Sequence, residues 1–587
     1  MIEIHCDIAI IGASMGGCAA ERAARQAGDT APVIILTEAT DWPGGQMTAQ
    51  GVSAFDEHAY IEQGGCTRGY ADLRTAIRQS YIKREGAPPV MAESVLGPNM
   101  PLNRGNGWVS RLCFLPARGL EVIQAGIASP TYLETEPVSA EVADGLVQSV
   151  TLTGADGTQY RVFARYFLDA TDLGDLLPLT GTAYSTGSQA SANDTQSFTM
   201  CFAVEYCPGE DHTLPEPADY ARFRDAQPYT LAPLGRDGQP VTYNMFTTSD
   251  QGNPPFWTYR RIHDGALLGG RDISLINWVS NDYFGGNIID VDAATRARYL
   301  DEARRLSLGF LRWLQTECPR DDGGFGYPEL RLRPDVMGTA DGLSKAPYIR
   351  ESRRIDALET VEPADIVAEA NDGARARHRW DSIGIGWYAM DLHPCVENPD
   401  TSVYAATRPF QIPLGALIPR DTRNLIAACK NIGTTHLTNG AYRLHPIEWA
   451  VGEAAGTLAA FCLAHETTPG VVHADPWQVW RLQARVVRQG CPITWAVDVP
   501  VDHAAFFATQ LLMIRDIIVP GGDRWHSLAI GLNQPLGLSV DVAKLRGIAK
   551  ELNQHAGRTL VRTADVQPDM TWVALCDLFQ PALLSLL

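Results

Sequence analysis

The chain has 587 residues, of which 45% are hydrophobic and 20% charged; this is a globular composition, long enough for two or three domains. A formal charge of -20 and a sequence pI near 5.1 argue against nucleic acid or an anionic membrane surface as partner, because both would be repelled. The 12 cysteines include no CxxC pair, so neither a zinc nor an iron-sulfur spacing is present and no disulfide framework is implied.

The N-terminus runs straight into an apolar strand, Asp7 to Ile11, without a basic-then-apolar leader, and no stretch reads as long enough to span a membrane. A reduced, cytoplasmic chain is expected. The stretch GASMGGCAAERAARQAG, Gly12 to Gly28, then turns into a helix beginning near Met15. Against the fingerprint GxGxxG it supplies Gly12, Ser14 in place of the second glycine, and Gly17, with Gly16 beside it. An anion would sit on the positive end of that helix, although a glycine-rich bend before a helix is also a common plain turn. The next strand, Val33 to Thr37, ends in Glu38, 21 residues after Gly17. An acid at that place accepts hydrogen bonds from an adenosine ribose, where an arginine would have pointed to a 2′-phosphate; the alternative is a solvated strand-end glutamate.

Gly44 and Gly45, followed by Gln46 and Thr48, offer backbone amides to a second part of a cofactor, or form only a loop. Residues 72–84 read as a helix within an insertion at about 60–115. The segments 146–154 and 159–164, joined by Ala155-Asp156-Gly157, read as a hairpin, and Tyr166 to Asp169 as a strand running into the small-residue turn Ala170-Thr171. From 185 to about 405 the strand-helix alternation is lost and Trp, Tyr, Pro and Gly abound, as in a lid or substrate region. It carries Arg350, Arg353 and Arg354, either a solvated basic face or a clamp for a substrate carboxylate. A strand at 424–428, a turn through Gly433, and a helix from Pro446 with Gly452 and Gly456 on one smooth face follow. Beyond 470, residues 477–489 and 542–552 read as amphipathic helices.

Five strings, GGQMTAQGVSAFDEH (44–58), FLDATDLGDLLPLTG (167–181), APYIRESRRI (346–355), YAMDLHPC (388–395) and NIGTTHLTNGAYRLHPIEWAVGEAAG (431–456), closely resemble the FAD-dependent oxidoreductases of the glutathione-reductase-like flavoprotein clan, a family also labelled xanthan lyase-like. The resemblance implies an α/β protein with FAD as cofactor. It further implies a glutathione-reductase-like FAD-binding Rossmann domain at 1–184 that resumes at 411–465, an inserted α+β substrate domain at 185–410, and a C-terminal helical region at 466–587. Carried over, Gly12, Ser14, Met15, Gly16 and Gly17 bind the pyrophosphate and Glu38 the ribose. Gly44, Gly45, Gln46 and Thr48 run along the diphosphate and flavin, and the amides at Pro446 and Ile447 face the pyrimidine end. Val138, Ala170, Thr171 and Gly433 complete the cofactor set. Cys429 stands where a glycine is expected, as a small buried residue or as a thiol near the ribityl chain.

In this reading a substrate hydride passes to flavin N5 and a base takes a proton. Arg443 is a fixed cation and His445 titrates near neutrality, both just ahead of a helix N-terminus, with Tyr442 beside them. His445 is equally a capping residue at the start of the helix, and His436, His393 and His58 are further base candidates. With no second strand-turn-helix unit for NAD(P)H, molecular oxygen, a quinone or a carrier protein is left as electron acceptor. An oxidase or dehydrogenase acting on a small molecule is expected. An NAD-linked dehydrogenase, a carbohydrate lyase with a structural flavin and a non-catalytic flavin-binding protein are the alternatives, and a homo-oligomer is left open.

Overall fold

The structure is a computed structural model that describes residues 1–27, 31–81, 103–235, 238–399 and 403–587. At its centre lies a five-stranded sheet in the order Leu425–Ala427, Tyr166–Asp169, Ile8–Ile11, Ile34–Thr37, Thr131–Tyr132, every neighbouring pair parallel. Ile8–Ile11 and Ile34–Thr37 are buried along their whole length. A parallel sheet is covered on both faces, so these strands are unbroken apolar runs instead of alternating ones.

The helix Met15–Gln26 leaves the central strand and packs on the long helix His445–Ala464. The contact is backbone on backbone: a Cβ added at Gly452 would stand 2.0 Å from Gly16 O, and one at Gly456 2.1 Å from Ala20 O. The late helix therefore starts beside the turn that follows the strand Ile8–Ile11. This helix is long and apolar enough to cross a membrane by length and composition, which corrects the sequence expectation that no stretch is. It is apolar all round because it is enclosed all round: nearly all of it is buried in the protein.

The hairpin through residues 155–158 belongs to a second sheet, in which Ile2–His5 runs parallel to Gln159–Phe163, and Leu146–Gly154 and Thr135–Ala143 follow antiparallel. The expected helix at 72–84 forms as Arg68–Ser80, because Thr67 Oγ1 accepts the Tyr70 amide at 3.1 Å and caps it earlier. Residues 82–102 of the insertion lie outside the described residues. The middle of the chain builds an antiparallel sheet, Arg261–His263, Ile273–Ile276, Phe202–Tyr206, Leu330–Leu332, backed by the helix Ala293–Thr316, around a core of its own that includes Phe202, Phe310 and Leu314. The C-terminal helices Pro476–Arg488, Phe506–Met513, Val542–Ala556 and Trp572–Leu583 share the core of the parallel sheet.

Candidate functional site

The carboxyl ends of three parallel strands meet at one cavity. It measures about 300 Å³ and is lined by Gly12, Thr37, Glu38, Thr40, Gln50, Pro137, Ala170 and Thr171 among others. Gly12 has φ +98°, and a Cβ there would stand 2.3 Å from Ala170 O, so only glycine lets the chain leave the strand here. Ser14 Oγ accepts the Gly17 amide at 3.3 Å and caps the helix. Gly44 and Gly45 also have positive φ, 112° and 52°. The Gly44 amide donates to Ala13 O at 2.7 Å, and a Cβ on Gly45 would stand 3.0 Å from Ser14 Cα. The glycine pair thus lies directly on the first turn. Met15, Gly16 and Gly17 are buried in the helix start.

Glu38 is buried at the end of its strand, Oε2 accepting the Ala13 amide at 3.2 Å and Oε1 the Thr40 amide at 3.0 Å. Burial, aided by the nearby Asp172, pushes its carboxyl up to about 8. Gln50 accepts the Ile349 amide through Oε1 at 3.2 Å, while its buried Nε2 has no partner. A free donor, a glycine cradle and a buried strand-end acid around one cavity could hold the adenosine diphosphate half of a dinucleotide. Val138, by contrast, is 47% exposed, and neither it nor Gly433 lines this cavity. Gly433 is pressed against Ala357, where a Cβ would meet the alanine Cβ at 2.5 Å.

Glu448 was not singled out in the sequence, yet it holds the centre of this region. Its Oε1 accepts the Gly16 amide at 3.1 Å and the Cys429 thiol at 3.3 Å, and Gln46 Nε2 donates to its other oxygen. Lys430 stands 3.8 Å away and pairs with Asp172 at 2.6 Å. Burial drives the Cys429 thiol far above its ordinary range. Thr48 Oγ1 donates to Pro43 O at 2.8 Å and fixes the glycine loop.

Toward the late helix, Gln46 Nε2 also donates to Arg443 O at 3.1 Å. Arg443 donates to the Tyr348 hydroxyl at 3.0 Å and to Asp391 O at 3.2 Å. His445 is fully buried: Nδ1 accepts the Asp56 amide at 3.2 Å and Nε2 donates to Val52 O at 3.1 Å. Both ring nitrogens are engaged, and burial holds the ring's pKa down at about 4. Pro446 and Ile447 form the first turn of the helix, buried. Tyr442 donates to Gln411 O at 2.8 Å and stacks on Phe410 at 4.4 Å, turned into the core. His436 is held by Glu351 at 2.9 Å, with its other nitrogen 3.7 Å from Cys395 Sγ. The burial of His58 lowers its pKa to about 4.

His393 is placed differently. It lines a second cavity of about 120 Å³ together with Asp56, Tyr259, Arg260, Tyr348, Arg350, Tyr388, Asp391 and Arg443. Its Nδ1 donates to Asp282 Oδ2 at 2.6 Å. Asp282 is buried, its other oxygen taken by Arg350 at 2.9 Å and Thr199 Oγ1 at 2.5 Å. Burial alone would raise its carboxyl, but Arg350 and His393 outweigh it and hold the group well below the usual carboxylate range. Asp56 is likewise lowered, against burial, by Arg260 at 3.2 Å. Arg353 pairs with Asp175 and Asp290, and Arg354 with Glu351. The three arginines are therefore buried ion-pair partners and not a solvated face, and of them only Arg350 reaches the second cavity. Asp282, Arg260 and Asp56 had no signal in the sequence as site residues, and Arg350 stood out only as one of three clustered arginines, since their meeting depends on strand pairing such as Phe198–Thr199 with Asp282–Tyr283.

The protein family described as FAD dependent oxidoreductase matches residues 7–486 of the chain. No match is found among curated protein sequences. Among solved structures, the chain is similar to E. coli quinol fumarate reductase FrdA, with 12% identity over 100% of this chain and 87% of that one and a TM-score of 0.28. It is similar to OxyS anhydrotetracycline hydroxylase from Streptomyces rimosus, with 12% identity over 87% and 72% and a TM-score of 0.32. It is also similar to L-proline dehydrogenase from P. horikoshii, with 13% identity over 34% of this chain and a TM-score of 0.17, and it spans only 25% of that protein's length.

Proposed function

This chain belongs to the FAD dependent oxidoreductase family, and from that premise we propose that it oxidises a small organic molecule with His393 as the group that accepts the substrate's proton. It is an enzyme, and FAD is its cofactor. The adenosine diphosphate would lie in the 300 Å³ cavity, on the Gly12 to Gly17 turn, with Glu38 at the ribose and Gln50 Nε2 as an unspent donor. Gly44 to Thr48, Arg443 and the amides at Pro446 and Ile447 would meet the flavin, in a glutathione-reductase-like arrangement of residues 1–184 and 411–465 with 185–410 as the substrate-bearing part. When bound, FAD supplies a two-electron acceptor, taking a hydride at N5 from a substrate carbon.

One observation carries the reading: the His393–Asp282 pair, 2.6 Å long, on the wall of the cavity that Arg443 also lines. Asp282 stays ionised because Arg350 and Thr199 hold its second oxygen, so it fixes the proton on His393 Nδ1. With the ring neutral, Nε2, 3.8 Å from Asp391 Oδ2, would offer its lone pair to a substrate O–H or N–H. As that proton leaves, Asp282 stabilises the imidazolium, and the proton passes on to solvent from a side chain that is 24% exposed. Molecular oxygen, a quinone or a carrier protein would take up the electrons. His445, with both nitrogens engaged, shapes the loop at Val52 and Asp56.

The test is an anaerobic screen of alcohols, amines, sugars and cyclic compounds against the FAD-loaded protein. Bleaching of the flavin by one class, with the oxidised product recovered, is the expected result. Substrate consumed without bleaching would instead support a lyase with a structural flavin.

A further inference from the structure

We propose that Glu359, Asp381 and His473 form a binding site for a single first-row divalent metal cation, of which Zn²⁺ is the best fit. The site is distinct from both cavities above, since none of the three residues lines either. They come from three parts of the chain: the segment after Arg354–Ile355, the residue before the strand Ser382–Gly386, and the helix Pro469–Ala474. One atom of each lies within 4.8 Å of the others.

The spacing is that of ligands. His473 Nε2 stands 3.3 Å from Asp381 Oδ2 and 3.7 Å from Glu359 Oε1. Two ligands each about 2.0–2.2 Å from a tetrahedral zinc stand roughly 3.3–3.6 Å apart. A histidine held protonated between two carboxylates is the competing account: against burial, Asp381 and Glu359 push its ring up to about 9, a proton the cation would have to displace. The full strength of that clasp requires short, aligned hydrogen bonds. His473 Nε2 makes none, and Asp381 Oδ1, in a residue with 0% exposure, has no partner either. A buried carboxylate with one oxygen unpartnered, and a ring nitrogen standing at ion-pair distance from two carboxylates without an aligned hydrogen bond, would both be relieved by a cation bound between them.

The surroundings are built for that. Gly415 donates its amide to Asp381 Oδ2 at 2.9 Å, orienting the carboxylate. A Cβ on Gly415 would stand 2.7 Å from Glu359 Cγ and 3.0 Å from His473 Nε2, so a side chain there would fill the space in which the three groups converge. Arg379 takes the other oxygen of Glu359 at 3.4 Å and leaves Oε1 for the cation. Glu359 and His473 remain 25% and 16% exposed, which opens a fourth position to water. One imidazole and two carboxylates suit a borderline divalent ion, and affinity should rise from Mn²⁺ toward Zn²⁺. Because the ligands sit on separated segments, the cation would pin the helix Pro469–Ala474 to the strands beside it.

The full-length, FAD-loaded protein, freed of metal with a chelator, is to be titrated with Zn²⁺ alone and with Co²⁺ alone. The expected result is about one metal per chain, a tetrahedral-type Co²⁺ spectrum on the long-wavelength side of the flavin absorption, and a higher Tm with Zn²⁺. His473→Gln and Asp381→Asn should each weaken binding by about 10-fold or more. If Asp381→Asn fails to fold, His473→Gln and the wild-type titration decide alone. Wild-type protein that takes up neither metal, or His473→Gln protein that binds as tightly as wild type, would overturn the site.

Discussion

Glu38 and His445 show how burial converts a local sequence signal into two different roles. Glu38 is buried, charged only against resistance, and bonded to the amides of Ala13 and Thr40. Above about pH 8, where the carboxyl is ionised, a ribose hydroxyl donating to it would add a charge-assisted bond of about 1.5 to 3 kcal/mol. Glu38→Gln should therefore loosen FAD by roughly 10- to 150-fold, measured by flavin retained on dialysis; full retention would remove the acid from the ribose. His445 is predicted to act on stability. Its folded pKa, about 4, lies below the ordinary 6.5, so between these values the unfolded chain binds a proton that the native chain refuses. Stability from this group is complete above pH 6.5 and is lost as the pH falls to 4, about 3 kcal/mol in all. His58 adds a second loss in the same window. His445→Asn should flatten the fall of the urea midpoint between pH 6.5 and 4, and an unchanged slope would contradict the assignment. The strand-end glutamate was legible because its neighbours lie within a few dozen residues. His393 was legible only as one histidine among several, since the partner that distinguishes it, Asp282, is 111 residues away.

At the scale of elements, the crossing of the two helices Met15–Gln26 and His445–Ala464 places the start of the late helix against the Gly12 to Gly17 turn. Gly452→Ala would drive a methyl to 2.0 Å from Gly16 O, backbone that cannot step aside, at a cost of about 1 to 3 kcal/mol. Both Tm and FAD occupancy should fall together. Gly547→Ala, in the helix Val542–Ala556 with nothing within 4 Å of the new Cβ, should instead raise stability by up to about 1 kcal/mol. Equal effects from the two would mean the crossing is not under steric control. The parallel strands, the hairpin and this helix were readable because each has a strong local period or a fixed turn residue. The middle segment was not: Phe198–Thr199, Asp282–Tyr283 and Arg354–Ile355 are two-residue strands, too short for any period. Phe198 and Tyr283 pack in the core around Phe202 and Phe310, whereas Ile355 and its partner Tyr184 pack on the core of the parallel sheet.

Across the whole molecule, the parallel sheet with its C-terminal helices forms one core and the middle of the chain another. The first cavity opens at the carboxyl ends of the strands. The wall of the second is drawn from both parts, Arg443 and Leu444 on one side and Tyr259, Arg260 and Trp278 on the other. On the proposed reading the first cavity takes the cofactor and the second the substrate. The first is built on glycine turns and a strand end with strong local patterns, the second on side chains brought together from distant segments, which is why the cofactor could be read from the sequence and the substrate could not. The central claim is that a substrate gives its proton to His393 as its electrons leave. The direct measurement is the rate of anaerobic flavin reduction by the substrate found in the screen, in wild-type and His393→Asn protein of equal FAD content. A positioned base contributes about 10²- to 10⁴-fold, so the variant should still bind substrate and reduce its flavin slower by that factor. Reduction at the wild-type rate would contradict the account.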